Sequence, residues 1–373
     1  MVKVPHNVAF AAELSLDGVL RNFRGAAPMA RALLTAGYKA FVVPSSQVAE
    51  VEATGMVALG CSHIKDVFAL LDDFPATLPV PSDHREPVTN RGFDISEIKV
   101  SDDAAWPFAI EVALAGGHGL LLEGCPGSGK TMIAKRLSTC LEMDEATRDR
   151  ATDMYSAVGL LPDNTAELNV VPFRAPHHTI SDVGLYGGGG GFPRPGEASL
   201  AHGGVLYMDD APEFRAQVLE MLRLAVKEGK ASFHRKGTIT EYPARFQLIA
   251  STCGCPCGHA HNPNRDCKCE QGNIDAFNAR LDGRLPLSVK ATVVHPFSGG
   301  KKAESSAAIR GRVTAARKMA MVRQGCLNDS VTLGDFDDPG MTRMLRVART
   351  IADLDECEVV DKSHVFQALQ ICI

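Results

Sequence analysis

The chain has 373 residues, room for two to three domains at about 150 residues each. Hydrophobic residues make up 45% and charged residues 22%, which excludes a disordered or collagen-like chain, and no stretch reaches the ~18 uninterrupted apolar residues of a membrane helix. A net charge of -5 excludes a polycation that coats nucleic acid, so any nucleic-acid site must be a local basic patch.

Met1–Phe10 carries neither a long apolar core nor a cleavage site, so no secretory signal is read and the expected compartment is the cytoplasm. The eleven cysteines are then reduced thiols, and where they cluster a metal is favoured over disulfides. Residues 1–74 read as a small α/β unit: an apolar stretch Val8–Leu16 into a Ser-Leu-Asp-Gly turn, a helix over Met29–Thr35, a short strand over Lys39–Pro44 after the Gly37 breaker, and a helix over Ile64–Leu71. Residues 75–93 hold Pro75, Pro79, Pro81, Pro87 and Gly92 among polar residues and read as a linker. From 94 to 296, helix, apolar strand, Gly-rich loop, helix and further strands follow one another, the pattern of a parallel α/β sheet. Trp106 falls on the apolar face of a helix and reads as packing. Residues 303–373 show helical periodicity, as in Met344, Val347, Ala348 and Ile351, and read as a helical lid.

The apolar strand Gly119–Glu123 runs into Gly124-Cys125-Pro126-Gly127-Ser128-Gly129-Lys130-Thr131, a full G-x-x-x-x-G-K-[ST] pattern in strand–loop–helix context. Glycines at Gly124, Gly127 and Gly129, with Ser128 between them, let backbone N–H groups curl around anionic oxygens, and the following helix aims its positive end at them. Lys130 would reach the β- and γ-phosphates of ATP, and the Thr131 hydroxyl would bind Mg²⁺. A second strand, Gly204–Met208, ends in Asp209-Asp210. Asp209 would hold Mg²⁺ and Asp210 would polarise the attacking water; the plain alternative is a solvated turn.

Downstream, Cys255-Pro256-Cys257 and Cys267-Lys268-Cys269 form two C-x-C pairs separated by nine residues. Four thiolates in a short loop suit a closed, structural Zn²⁺ site, with Cys253, His259 and His261 as reserve ligands; four free thiols are the alternative. Cys61, Cys125, Cys140, Cys326, Cys357 and Cys372 are scattered.

Several runs together are similar to the AAA+ ATPases of the magnesium-chelatase subunit I-like group, and within it to the ComM/YifB branch. They are Pro172–Leu185, Pro193–His202 leading into the Walker B strand, Pro212-Glu213-Phe214, Ala115-Gly116-Gly117-His118, Tyr242–Phe246 and Ala348–Leu354. The resemblance implies a P-loop AAA+ parallel sheet with a C-terminal helical lid, working as a ring, expected to be a hexamer of this chain. It implies an ATP-driven motor acting on DNA, as in branch migration during natural competence; a chelatase-type motor ranks below that. Residues 172–202 would be an insertion toward the ring pore. Chemically the insertion offers Arg174, His177, His178 and Arg194, cations suited to phosphate contacts, while the two histidines could equally stabilise the loop. Residues 1–74 resemble the C-terminal half of a Lon-protease-like domain, with the chain expected to begin inside it. The Lys of a Lon-type site has no counterpart near Ala27–Met29 and the Ser-bearing part is missing, so no peptidase activity is expected.

Against the family pattern, the Walker B Glu is Asp210, one methylene shorter, and the sensor Asn is Cys253, a poor hydrogen-bonding group. Arg284 is retained as the candidate arginine finger, with Arg280 as fallback. The lid's sensor Arg aligns with Asp337-Asp338-Pro339, leaving Arg343 and Arg346 as possible substitutes. Intact Lys130, Thr131 and Asp209 beside these changes give a second reading: a ring subunit that binds ATP and hydrolyses it poorly.

Overall fold

The computed structural model describes residues 6–75, 77–82, 94–100, 104–189, 193–235, 238–262, 264–281, 283–293, 300–331 and 338–373. The chain forms two compact units, one of residues 1–89 with 144–170 and one of residues 90–143 with 171–373. Most of the sequence-read linker, 83–93, lies outside the described residues.

The first unit is a three-stranded parallel sheet. Strands β1 (Val8–Phe10), β2 (Ala40–Pro44) and β3 (Val57–Cys61) pair in the order β1-β2-β3. Helix α1 (Ala26–Thr35) precedes β2, and α2 (Ile64–Asp72) follows β3. The central strand is buried at every position, as a short apolar run covered on both faces should be. Phe41, Val43, Val51 and Met56 form its main core with Ala26 and Ala30 of α1.

The second unit opens with α3 (Trp106–Gly116), in which Trp106 is buried. Strand β4 (Gly119–Glu123), the phosphate loop and α4 (Lys130–Leu137) follow. The chain then contributes α5 (Glu145–Val158) to the first unit. There Arg31 of α1 pairs with Asp149 at 3.0 Å and Asp153 at 3.2 Å, and Ser156 Oγ donates to buried Glu50 at 2.5 Å. These partners lie more than a hundred residues apart in sequence, so no local pattern reports them.

Back in the second unit come β5 (Phe173–Arg174), β6 (Val205–Met208), α6 (Ala216–Glu228), the antiparallel hairpin β7 (Lys230–Arg235) and β8 (Thr238–Pro243), then β9 (Gln247–Thr252) and β10 (Leu287–Thr292). Five strands form one parallel sheet in the order β10-β4-β9-β6-β5. This is an α/β P-loop sheet of AAA+ type, and its strands β4, β6 and β9 are buried along their whole length. In-register pairing sets Tyr207 beside Ile249 and Thr252 beside Glu123, so three strand ends meet at one edge. Ligands bind outside that carboxyl edge in open α/β sheets.

The C-terminal part is helical: α7 (Ser306–Gln324), α8 (Pro339–Leu354) and α9 (Lys362–Ile371). Among the described residues no helix is long and apolar enough to cross a membrane. Two of the family-like runs meet here. His118, wholly buried, bonds through Nε2 to Thr350 Oγ1 at 2.8 Å, and its backbone carbonyl accepts from Gln247 of β9 at 2.5 Å. Asn328 donates both to Thr350 at 3.1 Å and to Asp353 at 2.7 Å. Asp353 also takes Arg323 at 2.6 Å and Arg349 at 2.8 Å, so a continuous polar chain ties the sheet to the helices.

Burial opposes ionisation of Asp353, but the bonds from Arg323 and Asn328 and the charge of Arg349 outweigh it and hold its carboxyl below the usual range. Asp353→Ala should therefore destabilise the fold by a few kcal/mol, at the low end of the about 3–5 kcal/mol for breaking a buried pair because Arg323 is only 66% buried, being 34% exposed. The depressed pKa makes this contribution full above the unfolded pKa of about 3.9 and lost as pH falls through the folded value. Urea denaturation of parent and variant at pH 7 and pH 3 checks both: the difference should shrink at pH 3.

Candidate functional site

A cavity of about 600 Å³ opens where β4, β6 and β9 end, lined by the phosphate loop, Asp209, Asp210 and Cys253 among others. Gly124 has no room for a side chain: a Cβ there would lie 2.4 Å from the Val293 carbonyl oxygen. Gly127 and Gly129 adopt φ of 79° and 90°, the left-handed backbone that lets the loop curl before α4. Lys130 is buried and donates to the carbonyls of Gly124 at 2.7 Å and Cys125 at 3.1 Å, which keeps its ammonium over the loop. Ser128 Oγ is buried with no hydrogen-bond partner among the described residues, a spare donor that suits a loop built around an anion.

The Asp209 carboxylate is fixed by three hydroxyls. Tyr207 and Ser251 donate to Oδ1 at 2.8 Å each, and Thr131 donates to Oδ2 at 3.1 Å. Thr131 and Asp209, the pair expected to hold Mg²⁺, are thus in contact although 78 residues apart. Tyr207 and Ser251 were not among the sequence candidates. The signal for Tyr207 was its period-two spacing from Asp209, which puts both on one face of the strand. Burial pushes the Tyr207 hydroxyl well above its ordinary pKa, so it stays a donor.

Asp210 sits at φ 49°, unusual for a residue with a side chain, with its N–H donating to Ser251 Oγ at 2.9 Å. Burial, and then repulsion from Asp209, raise its pKa. The charge of Lys130 partly offsets this. The His178 ring lies tilted against His177 at 4.0 Å and meets Phe214 edge-on at 6.3 Å, and Arg215 donates to the Ile180 carbonyl at 2.8 Å. The Ala175–Ile180 part of the insertion therefore packs on the turn after β6. Arg174 is not a free cation: Glu197 receives it in a fork at 2.6 and 2.7 Å. Arg194 is exposed, and Gly190–Phe192 lie outside the described residues.

Arg284 is exposed. Arg280 packs over Phe277 and lies 3.7 Å from Glu213. At the lid, Asp338 caps α8 through the Gly340 N–H at 2.8 Å, one residue before Pro339, the position expected to align with the sensor Arg. Arg346 Nε donates to the Val331 carbonyl at 2.9 Å, and Arg343 has a buried Nε without a partner among the described residues.

The Sγ atoms of Cys255, Cys257, Cys267 and Cys269 all lie within 4.8 Å of one another, three of the separations being 3.4, 3.6 and 3.6 Å. Tetrahedral Zn²⁺ with bonds of about 2.3 Å needs S···S distances of about 3.8 Å. The donor set therefore fits zinc. A backbone bond from His259 lowers the Cys257 thiol to about 6, while Cys267, against a backbone bond from Cys269, is pushed up to about 12 by burial and the neighbouring thiols. Two reserve ligands are used elsewhere. Cys253 donates to the Cys255 carbonyl at 3.1 Å, and His261 lies 3.3 Å from Glu123. Burial opposes ionisation of Glu123, yet His261 and Lys290, the latter at 2.5 Å, hold its carboxyl below the usual range.

The family model described as "Magnesium chelatase, subunit ChlI" matches residues 94–296, and that for the ChlI C-terminal region matches 337–371. Over 390 residues the chain is 33% identical to the protein named YifB of Escherichia coli, covering 96% of this chain and 75% of that protein. The Salmonella typhimurium protein of the same name is 32% identical with the same coverage. The competence protein ComM of Haemophilus influenzae is 31% identical, covering 96% of this chain and 76% of that protein.

Two outcomes are expected from this geometry. Lys130→Ala should weaken ATP binding at least tenfold, about 1.4 kcal/mol, with the circular dichroism spectrum unchanged; isothermal titration is the check. Protein purified under reducing conditions should hold one zinc per four-thiolate cluster by elemental analysis, and Cys255→Ser with Cys267→Ser should remove it.

Proposed function

Because this chain belongs to the magnesium-chelatase subunit I-like family of AAA+ ATPases, with ComM and YifB among its relatives, we propose that it is an ATP-driven motor of the ComM/YifB type that remodels DNA as a ring of identical subunits. The observation that carries the nucleotide part is the meeting of Lys130, Thr131 and Asp209 in one cavity. In this reading the phosphate loop cradles the β- and γ-phosphates, and Lys130 leaves its backbone carbonyls to neutralise them. Thr131 and Asp209 would hold Mg²⁺, which would offset the charge of the phosphates. Tyr207 and Ser251 keep Asp209 oriented for it. Asp210 accepts a proton-bearing contact from the attacking water, and Arg284 supplies positive charge to a neighbouring subunit's γ-phosphate.

DNA is supported by the family and by exposed Arg194 and the His177–His178 pair on the insertion; Arg174, tied to Glu197, is withdrawn from the set of contacts. The second reading, a subunit that binds nucleotide and turns it over slowly, is favoured by Cys253 at the sensor position, whose thiol faces its own loop, and by the helix cap at Asp338. A misplacement of about 1 Å at Asp210 can by itself cost about 10²-fold.

ATP turnover with and without single-stranded DNA tests the proposal: stimulation supports the motor, and tight binding without turnover supports the slow subunit. Asp210→Glu, alone and with Cys253→Asn, should raise turnover about tenfold or more, which is about 1.4 kcal/mol of barrier. Turnover should fall on the acid side as Asp210 protonates, at a pH above the usual carboxylate range because its pKa is raised.

A further inference from the structure

The cysteine loop reaches the nucleotide cavity. Pro256, Cys257 and Gly258 line the same space as Lys130 and Asp210. Gly258 holds a left-handed backbone with φ 76°, and a Cβ built on it would stand 3.0 Å from Cγ and 3.1 Å from Cδ of Pro126, inside the phosphate loop. Two further contacts tie the loop to the site. Cys253, at the end of β9, donates its thiol to the Cys255 carbonyl at 3.1 Å. His261 lies 3.3 Å from the carboxylate of Glu123, the residue immediately before Gly124. The loop therefore touches the phosphate loop, the strand that feeds it and the sensor position.

We propose that the Pro256–Gly258 turn is a positioning wall of the nucleotide site, and that a zinc ion held by Cys255, Cys257, Cys267 and Cys269 sets nucleotide affinity by fixing that wall against Pro126. The inference rests on the nucleotide-binding reading of the cavity. The loop has no helix or strand of its own between Thr252 and Gln271 among the described residues, so its shape depends on its cross-links. A zinc ion would cross-link Cys255 and Cys257 to Cys267 and Cys269 and so close the loop. Linkage then requires reciprocity: whatever zinc adds to nucleotide affinity, nucleotide adds to zinc affinity.

The test uses the full chain under reducing conditions, reconstituted with one equivalent of zinc or stripped by chelator. Binding of Mg²⁺ and a non-hydrolysable ATP analogue is measured by titration, zinc affinity by competition with a chelator of known affinity, and folding by circular dichroism. The stripped chain is expected to bind nucleotide about 5- to 150-fold more weakly, with zinc affinity raised by the same factor at saturating nucleotide. Gly258→Ala is expected to weaken nucleotide binding at least fivefold with its zinc content unchanged, which separates the wall from the metal and serves if stripping unfolds the chain. Equal nucleotide affinity with and without zinc in folded protein overturns the inference, as does a Gly258→Ala variant that binds like the parent. A reconstituted chain that takes up no zinc also overturns it. A zinc-loaded parent that binds no nucleotide overturns the cavity reading and, with it, this inference.

Discussion

The in-register parallel pairing of β4, β9 and β6 is the constraint on which the site depends. Tyr207 sits beside Ile249, and Thr252 beside Glu123, so the residues just past each strand end share one edge. Asp209 receives the Ser251 hydroxyl because their strands run side by side, and Thr131 arrives from the helix after the phosphate loop. A slip of one residue between β6 and β9 would turn Ser251 away from Asp209. The burial of all three strands is what forbids such a slip, since each would then have to re-pack its apolar side chains.

The second constraint is the polar chain through His118. It begins at Gln247, passes through His118 to Thr350, and reaches Asp353 by way of Asn328. Its side chains are bonded in series, which adds rigidity, although Gln247 Oε1 is buried without a partner among the described residues. It explains why Ala115–His118 and Ala348–Leu354 stand out together: neither touches the cavity, but they join the sheet to the helices that follow.

The departures at Asp210, Cys253 and Asp338 look independent in sequence and are not equivalent in space. Asp210 and Cys253 share the cavity, whereas Asp338 serves only as a helix cap. The cysteine loop adds a partner to that cavity which a reading confined to nucleotide motifs would not include. Gly258 and His261 both bear on the segment Glu123–Pro126.

By itself the sequence determined the elements whose signals are local. The run Gly124–Thr131 after an apolar strand, the Asp pair after Gly204–Met208, the two C-x-C pairs and the helical period of the C-terminal part could all be read without coordinates, because each is set by neighbours in the chain. Tertiary structure alone decided which of the candidate side chains are free. Arg174 looked like an available cation until Glu197, 23 residues on, took its guanidinium. Arg346 gives its Nε–H to the Val331 carbonyl, and His261 lies against Glu123. The packing of α5 on the first unit, through Arg31 and Glu50, was equally invisible. The reason is the same in every case: a charge or a donor is committed by whichever partner the fold brings within about 3 Å, and sequence separation carries no record of that distance.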